Sequence, residues 1–364
     1  MQHSAVRQTP WSNEGGSDFP VEQAPVPVPF QFTATGSEYF RIWIVNLLLT
    51  ILTLGIYSAW AKVRRTRYFY ENTRVADATF DYHGTPLAIL KGRILAVVLF
   101  VAYQVVLGIS GTVGIAVLIA LGIAAPWLIW KSLQFKLANS SYRGIRFAFD
   151  GNAKQAYTTF LLLPVLTLFT LYMLIPFTHQ RIKRFQHSES RFGQAVFSFD
   201  GKVFAFYKVY AIGLLIGVGG LLLIGIFFGS TFSALFKAQA AGLAIGTILL
   251  AFAALYAWVF TLFPIIMTMI QNLVWSSTAI GPHRFVSNMR WTRVAWIAIT
   301  NLLGIVATFG LFLPFAQVRM LRYRIESMTL VAQGSIEEFV STQQDSVSAT
   351  GEGVADLFDF DISL

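Results

Sequence analysis

Residues 53–75 read TLGIYSAWAKVRRTRYFYENTRV, and the same pattern occurs twice more in the chain. Without gaps it aligns with TLYMLIPFTHQRIKRFQHSESRF from Thr170 and TFGLFLPFAQVRMLRYRIESMTLV from Thr308, at offsets of 117 and 255 residues. Thr53, Thr170 and Thr308 are equivalent, as are Trp60, Phe177 and Phe315. So are Arg64, Arg181 and Arg319, then Arg67, Arg184 and Arg322, then Tyr68, Phe185 and Tyr323. Each copy is an apolar helix closed by an aromatic and continued as Arg-x-x-Arg-aromatic. Self-similarity of this kind marks one unit used repeatedly, here threefold with the third copy incomplete.

A second element recurs beside the first. Phe30-Gln-Phe32, Phe80-Asp-Tyr82, Phe147-Ala-Phe149 and Phe197-Ser-Phe199 are each followed by a glycine within a few residues, and Phe285 opens a fifth. Alternating aromatics put one face of each short strand inward. Isolated two-stranded ribbons are marginal, so the five strands are expected to join in one small sheet beside the membrane.

The solvent follows from composition. Of 364 residues, 55% are hydrophobic and only 12% charged, about half the roughly 25% of a soluble domain. Seven uncharged apolar runs cover 42–60, 94–110, 111–130, 156–177, 209–228, 242–270 and 294–316, each of membrane-helix length. The predicted class is a polytopic all-α membrane protein with short strands between helices. Its units are 29–140, 141–275 and an incomplete 276–336, flanked by a disordered tail over 1–28 and an acidic disordered tail over 337–364. The N-terminus lacks the basic and apolar regions of a cleavable signal.

Charge placement separates two topologies. If all seven runs cross, the 27 Lys and Arg divide 16 to 11, a poor fit to the positive-inside rule. If the runs at 42–60, 156–177 and 294–316 dip in and return, or lie in the interface, 26 of the 27 share one side. That arrangement also keeps all strands together, and we adopt it as the expectation. Helix-distorting residues stand in all three runs: Gly55, Pro164 with Pro176, and Gly310 with Pro314.

Candidate site residues come from the basic clusters. Arg64, Arg67, Arg181, Arg184, Arg319 and Arg322 lie in pairs at i and i+3, on one helix face. Guanidinium forks at a membrane surface suit phosphate and anionic lipid headgroups; salt bridges to Glu71, Glu189 and Glu326 are the structural alternative. Inside the runs the polar side chains are Asn46, Gln104, Asn301 and scattered Ser, Thr and Tyr. Those three amides are candidates to line a pathway, with interhelical hydrogen bonding the plainer role. Intramembrane charge, which proton-driven pumps usually need, is absent from the runs.

Other chemistries find no support. There is no cysteine, and His3, His83, His179, His187 and His283 show no metal-ligand spacing. No nucleophile–base motif or phosphate loop occurs, so no catalytic residue, metal or cofactor is expected, and the chain is not read as an enzyme. The small-residue run at Gly213, Gly217, Gly219 and Gly220 reads as a helix-packing face. Membrane lipid outcompetes nucleic acid for basic clusters that abut apolar helices; protein partners on the strand-rich side stay open.

The run Asn46-LLLTILTLGIYSAWAKVR-Arg65, with Tyr68, Asn72-Thr73, Phe80-DY-His83 and Ile89-LKG-Arg93, resembles the YjgN-like family of bacterial inner-membrane proteins. Asn272-LV-Trp275 and Gly281-PHRFV-Ser287 add to the resemblance, which extends over roughly residues 30 to 335. It implies an inner-membrane location and a fold, and no reaction. Asp77 departs from it, standing where a glycine is expected. The expected function is transport or channel-like passage of a small uncharged or lipid-like solute, with a partner-binding membrane scaffold as the alternative.

Overall fold

The computed structural model describes residues 24–351. Eleven strands form one antiparallel sheet: β1 (Val26–Pro29), β2 (Gln31–Phe32), β3 (Thr73–Val75), β4 (Ala78–Tyr82), β5 (Ser140–Tyr142), β6 (Ile145–Phe149), β7 (Ser190–Phe192), β8 (Ala195–Phe199), β9 (Thr278–Ile280), β10 (His283–Ser287) and β11 (Met328–Ala332). The order across the sheet is β1-β11-β10-β9-β8-β7-β6-β5-β4-β3-β2. Its two ends are therefore consecutive pieces of chain, joined through Phe30. The sheet curls on itself, and residues 26–32 close it by pairing with β11 first and β3 second.

Five expected strands thus become eleven. The aromatic strands are β2, β4, β6, β8 and β10, and most of the remainder are three-residue partners too short to show a period. Tight hairpin turns join them. Ala76 and Asp77 (φ 45° and 58°) and Arg143 and Gly144 (48° and 80°) are left-handed at both central positions, whereas Gly193 and Gly281 are left-handed at the first only. These are the mirror-image turns whose twist suits hairpins. Asp77 adopts the backbone its glycine counterpart Gly144 adopts, so the turn survives the departure noted above. Ala76→Asn with Asp77→Gly is expected to stabilise the protein by about 1 kcal/mol by removing that strain, measured as a raised thermal midpoint in detergent.

Inside the barrel the recurring phenylalanines meet. Phe30, Phe285, Phe197, Phe147 and Phe80 form a chain of rings with centroids 6.2, 6.2, 6.4 and 6.4 Å apart. Val75, Tyr142, Ile145, Phe192, Ile280 and Leu330 complete the core. Across the turn end lies a helix, α12 (Ile336–Gly351), numbered last of the twelve. Ile336 and Val340 are buried in the barrel core, Phe339 stands edge-on to His283 at 4.6 Å, and Gln343 Oε1 accepts from the amides of Gln194 and Ala195, both at 2.9 Å. The reading of 337–364 as a disordered tail is corrected to that extent: Glu337 and Glu338 sit in the helix's first turn, where carboxylates complement the dipole. The 1–28 tail is corrected likewise, since Val26 to Val28 belong to β1. Residues 1–23 and 352–364 fall outside the described residues.

From the opposite end come the helices. Four are long and apolar enough to cross a membrane: α3 (Pro86–Ile109), α4 (Gly111–Ala138), α8 (Val203–Lys237) and α9 (Ala241–Ser276). They form two antiparallel pairs. In the second, Gly213, Gly217 and Gly220 lie under Ile266, Leu262 and Trp258, and Trp258 Nε1 donates to the Gly217 carbonyl at 3.2 Å. No side chain of α3 is buried, as expected of a helix solvated by lipid.

The other three apolar runs are not crossing-length helices, so seven segments reduce to four such helices. Each is broken in the middle: α1 (Gly36–Leu52) turns into α2 (Ser58–Glu71), α10 (Trp291–Ala307) into α11 (Leu313–Glu326). Between them in the chain, α5 (Ala153–Tyr157), a π turn (Thr158–Leu162) and α6 (Leu163–Phe169) lead into α7 (Ile175–Ser188). Both ends of each hairpin join strands of the one sheet. The three breaks share their hydrogen bonds: Gly55, Tyr172 and Gly310 donate to the carbonyls of Thr50, Thr167 and Ile305 at 2.7–2.9 Å. The preceding residues, Leu54, Leu171 and Phe309, are all left-handed. Thr53 and Thr308 Oγ1 each donate to the carbonyl four residues back and accept the amide four residues on.

Candidate functional site

Where the two long hairpins meet the broken ones, a cavity of about 850 Å³ opens, within the usual range for ligand pockets. Its walls obey helical spacing. Lys62, Arg65, Thr66 and Phe69 form one face of α2; Ser132, Phe135 and Lys136 come from α4; Phe260 and Phe263 from α9; Ala298, Asn301, Leu302 and Ile305 from α10; and Ala316, Gln317, Met320 and Arg324 from α11. The cavity is therefore amphiphilic. Four cations stand on its barrel side, the lower walls are apolar, and no Asp or Glu lines it.

The cations press on one another. Burial first, then the charges of Arg93, Arg65 and Lys136, hold the Lys62 ammonium below the ordinary lysine value. Lys183, close by on α7, is lowered by burial and then by Arg324 and Lys136. Arg324 donates to Gln271 Oε1 at 2.9 Å, while its Nε is buried without a partner among the described residues. Like charges gathered away from water raise the free energy of the empty site, and an anion relieves it.

A smaller cavity of about 240 Å³ adjoins, sharing Lys62, Arg65 and Gln317 and adding Tyr39, Asn46, Ser58 and Arg93. Arg93 Nη1 donates to Ser58 Oγ, tying α3 to α2.

Of the residues singled out from sequence, Asn301 lines the larger cavity, Asn46 the smaller, and the others neither. Arg319 donates to Asn301 Oδ1 at 2.8 Å and Thr300 Oγ1 at 3.0 Å, and Asn301 Nδ2 donates to the Ala316 carbonyl at 3.1 Å. Arg64 reaches Asn46 Oδ1 at 3.4 Å and Tyr57 Oη at 3.1 Å. The two arms of the first and third broken hairpins are thereby pinned together. Arg67 donates to the Tyr82 carbonyl at 3.4 Å and Arg322 to the Ala34 carbonyl at 2.6 Å. Arg181 lies over the Phe177 ring at 4.9 Å, and Arg184 is exposed. Of the expected ion pairs, Arg322 meets Glu326 at 3.9 Å, whereas Glu189 accepts from Gln155. Asn46 lines the smaller cavity, Asn301 the larger and Gln104, exposed on α3, lines neither. The three amides do not form one path.

The cavity cations were thus one helical step from those chosen. Lys62, Arg65 and Phe69 follow i, i+3, i+7, a signal available in the sequence but outweighed by the more regular Arg-x-x-Arg. Lys136 and Arg93, on separate helices, carry no joint signal.

Comparison with known proteins agrees with the membrane reading. The inner membrane protein YjgN of Salmonella typhimurium is 36% identical over 148 residues, 40% of this chain and 37% of that protein. YjgN of Escherichia coli K12 is 32% identical over 143 residues, 38% of this chain and 35% of its own length. Each match spans little more than a third of the relative. No solved structure matches the chain. With four crossing-length helices, these similarities place the protein in the inner membrane. A family model described as bacterial proteins of unknown function, DUF898, matches residues 27–357, nearly the whole described chain, and the protein belongs to that family.

Proposed function

We propose that the protein binds an anionic, tail-bearing solute in the central cavity and carries it between the barrel-side surface and the hydrocarbon of the inner membrane. One observation carries this reading: four cations and no carboxylate over apolar walls. An uncharged solute leaves that cluster uncompensated, so the solute class expected from sequence narrows to the lipid-like and anionic. The strand aromatics pack inside the barrel, which favours the solute reading over a scaffold that binds partners through them.

In this reading the α3–α4 and α8–α9 pairs cross, and the three broken hairpins, taken as copies of one unit, enter from the barrel side and return. From Ile42 to the end of α1 is about 16 Å of helix, half of the roughly 30 Å hydrocarbon core. The hairpin tips are apolar and uncovered: Leu54, Leu171 and Phe309 are 95%, 85% and 97% exposed. Their backbone groups are hydrogen-bonded internally, the condition for lying in lipid.

Lipid extracted from purified protein tests the function. Lys136→Gln with Arg324→Gln removes two charged contacts worth about 1.5–3 kcal/mol each. Retained anionic lipid, quantified by mass spectrometry, is expected to fall more than tenfold while neutral lipid is unchanged; equal retention refutes the reading.

A further inference from the structure

We infer that the smaller cavity, between α1, α2 and the start of α3, seats a phosphate group, so that the solute's head is a phosphate ester whose tail extends into the larger cavity. This rests on the reading of the larger cavity as a ligand site and names the chemistry of the head.

Three cations converge on the smaller cavity, Lys62 and Arg65 from α2 and Arg93 from the second turn of α3, again without a carboxylate. The neutral groups beside them are oriented as donors. Tyr39 Oη donates to Gln317 Oε1 at 2.9 Å, which leaves the Gln317 amide nitrogen to donate. Arg64 donates to Asn46 Oδ1 from behind, which leaves Asn46 Nδ2. Each amide oxygen is thus turned toward a protein donor and each amide nitrogen remains to donate, which is the arrangement an oxyanion requires. A carboxylate offers one charge and two oxygens. A phosphate monoester offers about −1.5 to −2 and three strong acceptor oxygens, closer to what three cations and two amides supply. The volume of about 240 Å³ holds a headgroup and not a whole lipid. Lys62, Arg65 and Gln317 belong to both cavities, so a head seated in the smaller has an open route for its tail along the apolar walls of the larger.

The full chain in mild detergent is titrated with dioctanoyl phosphatidic acid, with dioctanoylglycerol, which lacks the phosphate, and with inorganic phosphate. Fluorescence of Trp43, which lines the smaller cavity, reports binding. Arg93→Gln and Lys62→Gln are each expected to weaken phosphatidic acid binding at least tenfold and to leave the weaker diacylglycerol binding unchanged. Arg93→Lys, which keeps the charge and gives up the guanidinium fork that reaches Ser58, is expected to restore most of the binding lost in Arg93→Gln. Phosphatidic acid binding far above inorganic phosphate identifies a lipid headgroup; equal binding identifies a free phosphate or soluble ester, and either result supports the phosphate seat. Unaltered phosphatidic acid binding by Arg93→Gln overturns it, as does equal loss in Arg93→Gln and Arg93→Lys, which makes Arg93 a brace between helices. If Lys136→Gln with Arg324→Gln loses the amphiphile while Arg93→Gln does not, the larger site stands and the phosphate seat falls. If no amphiphile binds the unaltered chain, both fall.

Discussion

A chain truncated to begin at Thr33 is expected to lose the closed barrel and to leave detergent solution as oligomers and aggregate. Among the described residues, 26–32 are the only link between β11 and β3. Phe30 N–H donates to the Met328 carbonyl at 3.1 Å, so by alternation Val26 and Val28 also face β11, while Gln31 faces Arg74 of β3. Truncation removes Phe30 from the core, worth about 3–5 kcal/mol as a Phe→Ala change, together with ladder bonds of about 0.5–1.5 kcal/mol each. The sum is comparable to the stability of a whole domain, about 5–15 kcal/mol. Two unpaired edges then face outward, the standard template for strand addition between molecules. Size-exclusion chromatography of the truncated and full chains in the same detergent checks this. A monodisperse truncated protein with an unchanged thermal midpoint would show that closure contributes nothing. Phe30→Ala, which keeps the strand and empties its place in the ring, is expected to lower the midpoint without oligomerisation.

That closing strand also shows where sequence reasoning reaches its limit. Pro27 falls in the 1–28 stretch expected to be a disordered tail, and Pro29 directly follows it. In the barrel they fall on the side of β1 away from β11, beyond the end of β3, where a backbone N–H has no partner; proline, which has none, suits the position. The aromatic strands were legible because Phe80, Phe147, Phe197 and Phe285 repeat with period-2 neighbours and need a buried face. Their three-residue partners, such as Ser140–Tyr142, offer no period, and only pairing reveals them. α12 was hidden by its acids: Glu337 and Glu338 suggested a solvated tail, although Ile336, Phe339 and Val340 carry the i, i+3, i+4 spacing of a buried face. The cavity was illegible for a different reason. It gathers side chains from α2, α4, α9, α10 and α11, and no local pattern encodes which faces of five helices converge. Arg64 and Arg319 of the Arg-x-x-Arg motif hold the buried amides Asn46 and Asn301, so the regular motif signalled hairpin architecture, whereas its less regular neighbour, Lys62 with Arg65, faces the cavity.

Aspartate at the three hairpin tips is expected to have the largest effect of any surface substitution. Leu54, Leu171 and Phe309 are almost fully exposed, and in a water-soluble protein replacing such residues would change stability by less than about 0.5 kcal/mol. In the re-entrant arrangement they lie near the centre of the hydrocarbon, where an aspartate costs about 2.5–3.5 kcal/mol by insertion measurements. Leu54→Asp, Leu171→Asp and Phe309→Asp together then cost roughly 7–10 kcal/mol, enough to prevent stable insertion and collapse recovery from the membrane fraction. Each single change is expected to lower the thermal midpoint visibly, because in that arrangement the carboxylate is held in hydrocarbon. The charges already present agree with this placement, since every basic cluster stands at the base of its hairpin and none at the turn. If the hairpins instead passed through the bilayer, their tips would meet water on the far side and the same aspartates would be nearly silent. Single cysteines at 54, 171 and 309, introduced into a chain that has none of its own, separate the two arrangements: tips within hydrocarbon resist a membrane-impermeant maleimide from both sides, and tips that emerge are labelled from the side opposite the barrel. Silent aspartates with far-side labelling would remove the re-entrant hairpins on which the carrier reading depends.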